Sequence, residues 1–118
     1  MKVILTHEQA DMDALASQLG AWLLYPEALP VLPRKINRNG RRYLQRYGKD
    51  LPYIEAQDLP REDIETVILV DTQSLITLKG MSENTHIMVY DHHPLREDLD
   101  PHWELYLVDS GSNVSQMI

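Results

Sequence analysis

Three apolar stretches of this chain each stop at residues that can bind a cation or move a proton. Val3-Ile4-Leu5-Thr6 runs into His7, with Asp11 and Asp13 close behind. Thr66-Val67-Ile68-Leu69-Val70 runs into Asp71, and Thr85-His86-Ile87-Met88-Val89-Tyr90 runs into Asp91-His92-His93. Imidazole nitrogens and carboxylate oxygens gathered at one point are the donor set of manganese, magnesium, iron or zinc rather than of a soft metal. Each piece also has a plain structural reading: Asp11 caps a helix, Asp13 complements its dipole, and Asp71 caps whatever follows it. A carboxylate in the centre of a sheet is costly without cations or donors, however. Three strand ends carrying such groups together favour a shared divalent-metal site.

The groups meet only if their strands lie side by side. Val3–Thr6, Thr66–Asp71 and His86–Asp91 read as strands, and continuous apolar runs of this length suit strands buried on both faces. Asp11 to about Tyr25 carries Ala14, Leu15, Leu19, Trp22 and Leu23 at helical spacing and stops at Pro26. Asn37 to about Tyr47 reads as a basic helix ending at Gly48, with Gly40 as its weak point. Leu29–Leu32, Tyr53–Glu55 and Leu105–Asp109 predict further strands, Pro60 to Glu65 a turn or a single helical turn, and Ser74–Lys79 a short helix closed by Gly80. The order β-α-β-α-β-β-α-β-β-α predicts an α/β fold, a mostly parallel, Rossmann-like sheet with helices on both faces. Ligands of such sheets bind outside the carboxyl ends of the strands.

A length of 118 residues allows one domain with a modest core. No apolar run approaches the roughly 20 residues of a membrane span, and no signal peptide is visible, since polar Thr6-His7-Glu8 follows Leu5 at once. The absence of cysteine excludes disulfides, thiolate zinc sites and a cysteine nucleophile, and a cytoplasmic location is expected. A net charge of −7 argues against a protein that coats nucleic acid. Yet seven of the eleven basic residues fall together, at Arg34, Lys35, Arg38, Arg41, Arg42, Arg46 and Lys49, with Tyr43 and Tyr47 among them and no acid between. Such a segment can follow a phosphate backbone and stack bases. It reads equally well as a solvated helix face with its tyrosines packed on the sheet. The final Gly111-Ser112-Asn113-Val114-Ser115-Gln116-Met117-Ile118 looks like a turn, a cap and the start of a helix without a stop signal. The expectation is a single domain truncated at its C-terminal end, excised from a longer protein.

In order and placement these motifs resemble the DHH phosphoesterase superfamily, named for the triplet at Asp91-His92-His93. His7, Asp11 and Asp13, followed by Ala14 and Ser17, match the first family motif, and Asp71 the second. Gly111-Ser112-Asn113 matches the fourth, a glycine-rich strand-to-helix turn, loosely. The stretch Ala10 to Ser17, with Leu24-Tyr25-Pro26, is more similar to one subgroup. There the DHH domain begins a long protein carrying CBS modules and a poly(A)-polymerase or tRNA-nucleotidyltransferase region.

The resemblance implies a two-metal, exopolyphosphatase-like phosphoesterase, using Mn2+ or else Mg2+, that hydrolyses a phosphodiester or phosphoanhydride. His7 and Asp11 would hold one ion, Asp13 and His92 the other, and Asp71 would bridge them. His93 would lie beside the scissile phosphate, and Asp91 would orient the histidines from behind. Catalysis is thereby expected of Asp71, His92 and His93. Substrate contact is expected of His93, of Gly111, Ser112 and Asn113, and, from the basic helix, of Arg38, Arg41 and Arg42. Superfamily substrates include single-stranded DNA, short RNA, cyclic dinucleotides, pyrophosphate and polyphosphate, and the basic segment favours an extended polyanion or oligonucleotide.

A further family Asp ligand is expected beyond this chain, and Asp109 is not assigned that role. The second, substrate-gripping domain is also expected elsewhere, so the isolated domain should bind metal weakly and show little activity. Its partners would be the C-terminal domains of a parent chain and a phosphate-bearing substrate, with no membrane and with a homodimer left open. The alternative is a non-catalytic metal- or nucleotide-binding module serving an RNA-modifying enzyme. A metal-free nucleotide-binding domain lacks support, because Thr6-His7-Glu8 stands where a glycine-rich fingerprint would be.

Overall fold

The uninterrupted apolar runs form strands because a parallel sheet lets them bury both faces. The computed structural model describes residues 1–117. Its elements are β1 (Lys2–Leu5), α1 (Met12–Leu24), β2 (Ala28–Leu32), α2 (Arg38–Tyr47), β3 (Ile54–Glu55), β4 (Thr66–Val70), β5 (His86–Asp91), β6 (Glu104–Leu107) and α3 (Val114–Met117). All five strand pairings are parallel, in the order β3-β2-β1-β4-β5-β6. This is the doubly wound order, and its direction reverses between β1 and β4. Strands β1, β4 and β5, which lead into the chemistry-bearing residues, are therefore neighbours, as the α/β reading requires.

Alternate residues divide the core. Val3, Leu5, Val67, Leu69, Ile87 and Val89 line one face, and Ile4, Ile68 and Val70 line the other, under Ala21 of α1 and Met117 of α3. Helix α1 starts where Asp11 caps it, accepting from the Ala14 backbone at 2.9 Å. It buries Ala14, Leu15, Gln18 and Ala21, whereas Leu23, expected to face the core, is 66% exposed. Buried Gln18 takes the central place, donating to the carbonyls of Ile4 (3.0 Å) and Val31 (2.7 Å). A glutamine tying the helix to two strands defeats a reading based on apolar spacing alone.

The helix expected at Ser74–Lys79 does not form. That segment is irregular, and Leu75, Leu78 and Met81 pack directly on the first sheet face. Six residues are too few to nucleate a helix against such packing. Apolar residues three apart served the sheet contact instead. Gly80 does take a positive φ of 100°, but in a turn, where its carbonyl accepts from Ile64. The last strand comes slightly earlier than expected, at Glu104–Leu107 rather than Leu105–Asp109.

Gly40 lies in α2 because α2 crosses close to the start of α1. A Cβ there would sit 2.6 Å from Ile36 Cγ2, 3.0 Å from Leu15 Cδ1 and 3.2 Å from the Ala10 carbonyl oxygen. In an open helix, replacing glycine by alanine stabilises by up to about 1 kcal/mol. Gly40→Ala is expected to reverse that sign and destabilise by about 1–3 kcal/mol, as overpacking does, read as a lower urea midpoint at unchanged slope.

Candidate metal centre

The switch point of the sheet is stitched by Thr6, whose fully buried hydroxyl donates to the Val70 carbonyl at 2.8 Å. His7 stands two residues beyond β1, and Asp71 one residue beyond β4. Asp71 has φ 61°, a left-handed conformation that costs a non-glycine residue energy and that concentrates at functional sites. Its carboxylate is 4% exposed.

Two imidazoles converge on this carboxylate. His7 Nε2 lies 3.2 Å from one oxygen, Oδ2, and His92 Nε2 lies 3.0 Å from the other, Oδ1. The second approach lacks hydrogen-bond geometry, so Oδ1 is buried with no hydrogen bond. Both rings are held from behind in the same way. Nδ1 of His7 donates to the Glu8 carbonyl at 2.8 Å, and Nδ1 of His92 to the Ser110 carbonyl at 3.0 Å. A carbonyl can only accept, so Nδ1 carries the proton in each ring and Nε2 faces Asp71.

The protons follow from this geometry. The Asp71 hydrogen bond outweighs partial burial and raises His7 from its usual 6.5 to about 9. His92 is raised as well, first by its bond to the Ser110 carbonyl, against partial burial, with the charges of Asp71 and Asp13 adding to the rise.

The neighbouring carboxylates are each already bonded. Asp11 uses Oδ1 to cap α1. Asp13 accepts from the backbone N–H groups of Asn113 at 2.8 Å and Val114 at 2.9 Å, and its Oδ2 lies 3.6 Å from His92 Nε2. From the first turn of its own helix, where its charge complements the dipole, Asp13 thus also fastens the start of α3. Asp91 is fully buried, and both oxygens are taken, by His93 Nδ1 at 2.7 Å and by Gln73 at 2.8 Å. His93 itself is 54% exposed at the mouth of a cleft of about 380 Å³ that also reaches His7 and Asp71. A larger cavity of about 770 Å³ lies beside Met1 and Leu59, near the amino ends of the strands, and has no such donor set.

Among the described residues, two groups of side chains could hold a metal ion: His7 with Asp11 and Asp71, and Asp71 with Asp91, His92 and His93, the donor atoms in each within 4.8 Å of one another. The sequence-derived residues His7, Asp11, Asp13, Asp71, Asp91, His92 and His93 are thus brought together. Asn113 joins from the Asp13 side with its own side chain buried and spent on Ser17 and Gln116. Exposed Gly111 and half-buried Ser112 precede it. Arg38, Arg41 and Arg42 are exposed on α2 and make no hydrogen bond or ion pair with the cluster.

Sequence reasoning missed Gln73 and Arg96. Gln73 is buried, donates to Asp91 and to the carbonyls of His93 (3.3 Å) and Pro94 (3.0 Å), and accepts from the Arg96 N–H at 2.8 Å. Arg96 lines the cleft and donates to Ser74 at 2.7 Å. The only hint was position: Gln73 stands two residues past Asp71, on the loop that must face the triplet. Gln73→Ala is expected to destabilise the domain by about 1–3 kcal/mol, because it leaves buried partners unsatisfied. Its chemical denaturation curve checks this.

The model of the DHH family, N-terminal domain, matches residues 2–115. Two curated relatives are named A-adding tRNA nucleotidyltransferase. The one from Geobacter sulfurreducens is 34% identical over 100 residues and the one from Aquifex aeolicus 34% identical over 94 residues. Each alignment covers 80% of this chain, which spans about 11% of the length of either relative. With the triplet Asp91-His92-His93 on the strand end where the fold places it, and the match running almost from end to end, the chain belongs to the DHH family as an N-terminal domain.

Proposed function

We propose that this domain is a phosphoesterase that works with two divalent ions, manganese or magnesium, at the Asp71 carboxylate. The observation that carries the reading is Asp71 itself: a buried carboxylate with one oxygen lacking any hydrogen bond and a different histidine Nε2 on each oxygen. Histidines that ligate metals hold their other nitrogen against a carbonyl or carboxylate, as His7 and His92 do. His7 and Asp11 would hold one ion, Asp13 and His92 the other, and Asp71 would bridge them. When bound, such ions activate water at neutral pH and offset charge on the phosphoryl oxygens.

The residues of the chain then have separate tasks. The buried Asp91 fixes the ring of His93, whose free nitrogen is left for a phosphate oxygen at the cleft mouth. Gln73 clamps the loop on which this ring is mounted. The substrate is a phosphodiester or phosphoanhydride. The reading is tested by hydrolysis of bis(p-nitrophenyl) phosphate with manganese, in the wild type and in Asp71→Asn. Equal rates would remove this site from the chemistry.

The names of the relatives favour a second reading, in which the domain is a non-catalytic metal- or nucleotide-binding module of a larger tRNA nucleotidyltransferase-like protein. Manganese binding that Asp71→Asn abolishes, without hydrolysis of any phosphoester by the wild type, would select it.

A further inference from the structure

One charged surface lies outside the His/Asp cluster. Arg34, Lys35, Arg38, Arg41, Arg42, Arg46 and Lys49 are all exposed, and none pairs with a carboxylate within 4.0 Å among the described residues. Without these seven cations the chain's net charge of −7 would be −14. The cations are therefore segregated, in a protein with abundant acids to neutralise them. Along α2, Arg38, Arg42 and Arg46 recur every fourth residue, about 6 Å apart on one side of a helix. Five of the seven are arginines, whose planar fork matches phosphate oxygens two at a time. At the far end Tyr47 is 51% exposed, with the Arg46 guanidinium 5.6 Å from its ring centre.

The near end of this surface adjoins the candidate metal centre. The Ala10 backbone bonds to Lys35 and Asn37 on either side of an isolated parallel bridge to Ile36, and the Lys35 N–H donates to Glu8. Ala10 stands between His7 and Asp11, so the basic surface starts beside the loop that carries them.

We infer that the exposed basic side of α2 is a docking track for a single-stranded polynucleotide, leading its end to the His/Asp centre. Evenly spaced arginines take successive phosphates, and Tyr47 offers a ring on which a base stacks. A lipid surface fits less well. The inner side of α2, at Gly40, Tyr43 and Leu44, is used up against α1 and Tyr53, leaving no apolar face to enter a membrane. The inference rests on the proposed phosphoesterase reading only for where the strand leads; binding itself is independent of it.

The test is fluorescence anisotropy of the chain in EDTA with labelled eight-nucleotide RNA and DNA of one sequence, across a salt series. Binding is expected to weaken with salt at a slope of about 0.7 per phosphate contacted. R38E/R42E/R46E should lose at least tenfold in affinity and about two from the slope. R38Q/R42Q serves as the milder variant if circular dichroism finds the triple one unfolded. Tighter binding of RNA than DNA would assign the strand to RNA, and the reverse to DNA, both within the inference. No binding of either strand, binding that both variants retain, or anionic phosphatidylserine vesicles bound in preference to both strands would overturn it. Hydrolysis of bis(p-nitrophenyl) phosphate with manganese, measured separately on the wild type, keeps the two readings apart. Strand binding without hydrolysis by the full-length protein refutes the esterase and leaves the track, and hydrolysis without strand binding does the opposite.

Discussion

Asp71→Asn is expected to lower manganese affinity by at least about 100-fold and, where hydrolysis is measurable, to lower its rate at least as much. Outer partners of metal ligands alone are worth roughly 10–100-fold, and Asp71 would touch both ions. The substitution is nearly isosteric, so it changes charge while leaving the packing around β4 intact. It should also act on the protein without metal. The raised proton affinity of His7 arises first from its hydrogen bond to Asp71, and an amide there no longer offers a negative charge to hold that proton. Calorimetric titration with manganese checks the first effect, and a histidine NMR titration the second. Unchanged manganese affinity in Asp71→Asn would contradict the bridging role.

The second large effect is a reversal of pH dependence on adding metal. His7 is raised in the folded, metal-free protein to about 9, whereas in the unfolded chain it titrates near 6.5. A raised pKa means that the folded state holds the proton more tightly. The resulting stabilisation is present in full below about pH 6.5 and is lost as pH rises through about 9. The metal-free domain should therefore lose this contribution across that interval. Metal binding runs the other way, because a ligating imidazole must be neutral. Manganese should displace a proton from His7 at pH 7, and its affinity should climb toward pH 9. Titrations in two buffers of different ionisation enthalpy measure the released proton directly. The gap in melting temperature between loaded and metal-free protein should widen over the same range. No proton release at pH 7 would contradict the placement of His7 on the metal.

Much of this arrangement was legible in the chain because a parallel sheet writes itself plainly. A strand buried on both faces must be apolar throughout, so the abrupt appearance of Asp71 or Asp91 marks both where the strand stops and which end of the sheet is polar. The carboxyl end of His86–Asp91 was readable for this reason. What periodicity could not convey were contacts made at a distance. Gln73 looks like an ordinary loop residue until the triplet loop is folded onto it. Gly40 looks like a flaw in a helix until α1 is laid against it. The stretch Ser74–Lys79 has helical spacing, yet its apolar side chains reach the sheet without a helix. The paired use of the two Asp71 oxygens depends on β1 and β5 flanking β4, and strand order is not contained in any local pattern.

The position of β1 carries a kinetic consequence. It sits between β2 and β4, and its contact with β4 joins residues 64 apart in the chain, as Thr6 and Val70 are. Contacts of such long separation make for high contact order and slow folding. They also mean that the donors from His7 to His92 come together only when the central strands have closed. Manganese would then act as a ligand of the native state as a whole, adding about 2.7 kcal/mol at a hundred times its dissociation constant. Amide exchange in the middle of β1 and β4 should slow with added metal by the same factor as global unfolding, whereas the ends of α2 should exchange at an unchanged rate.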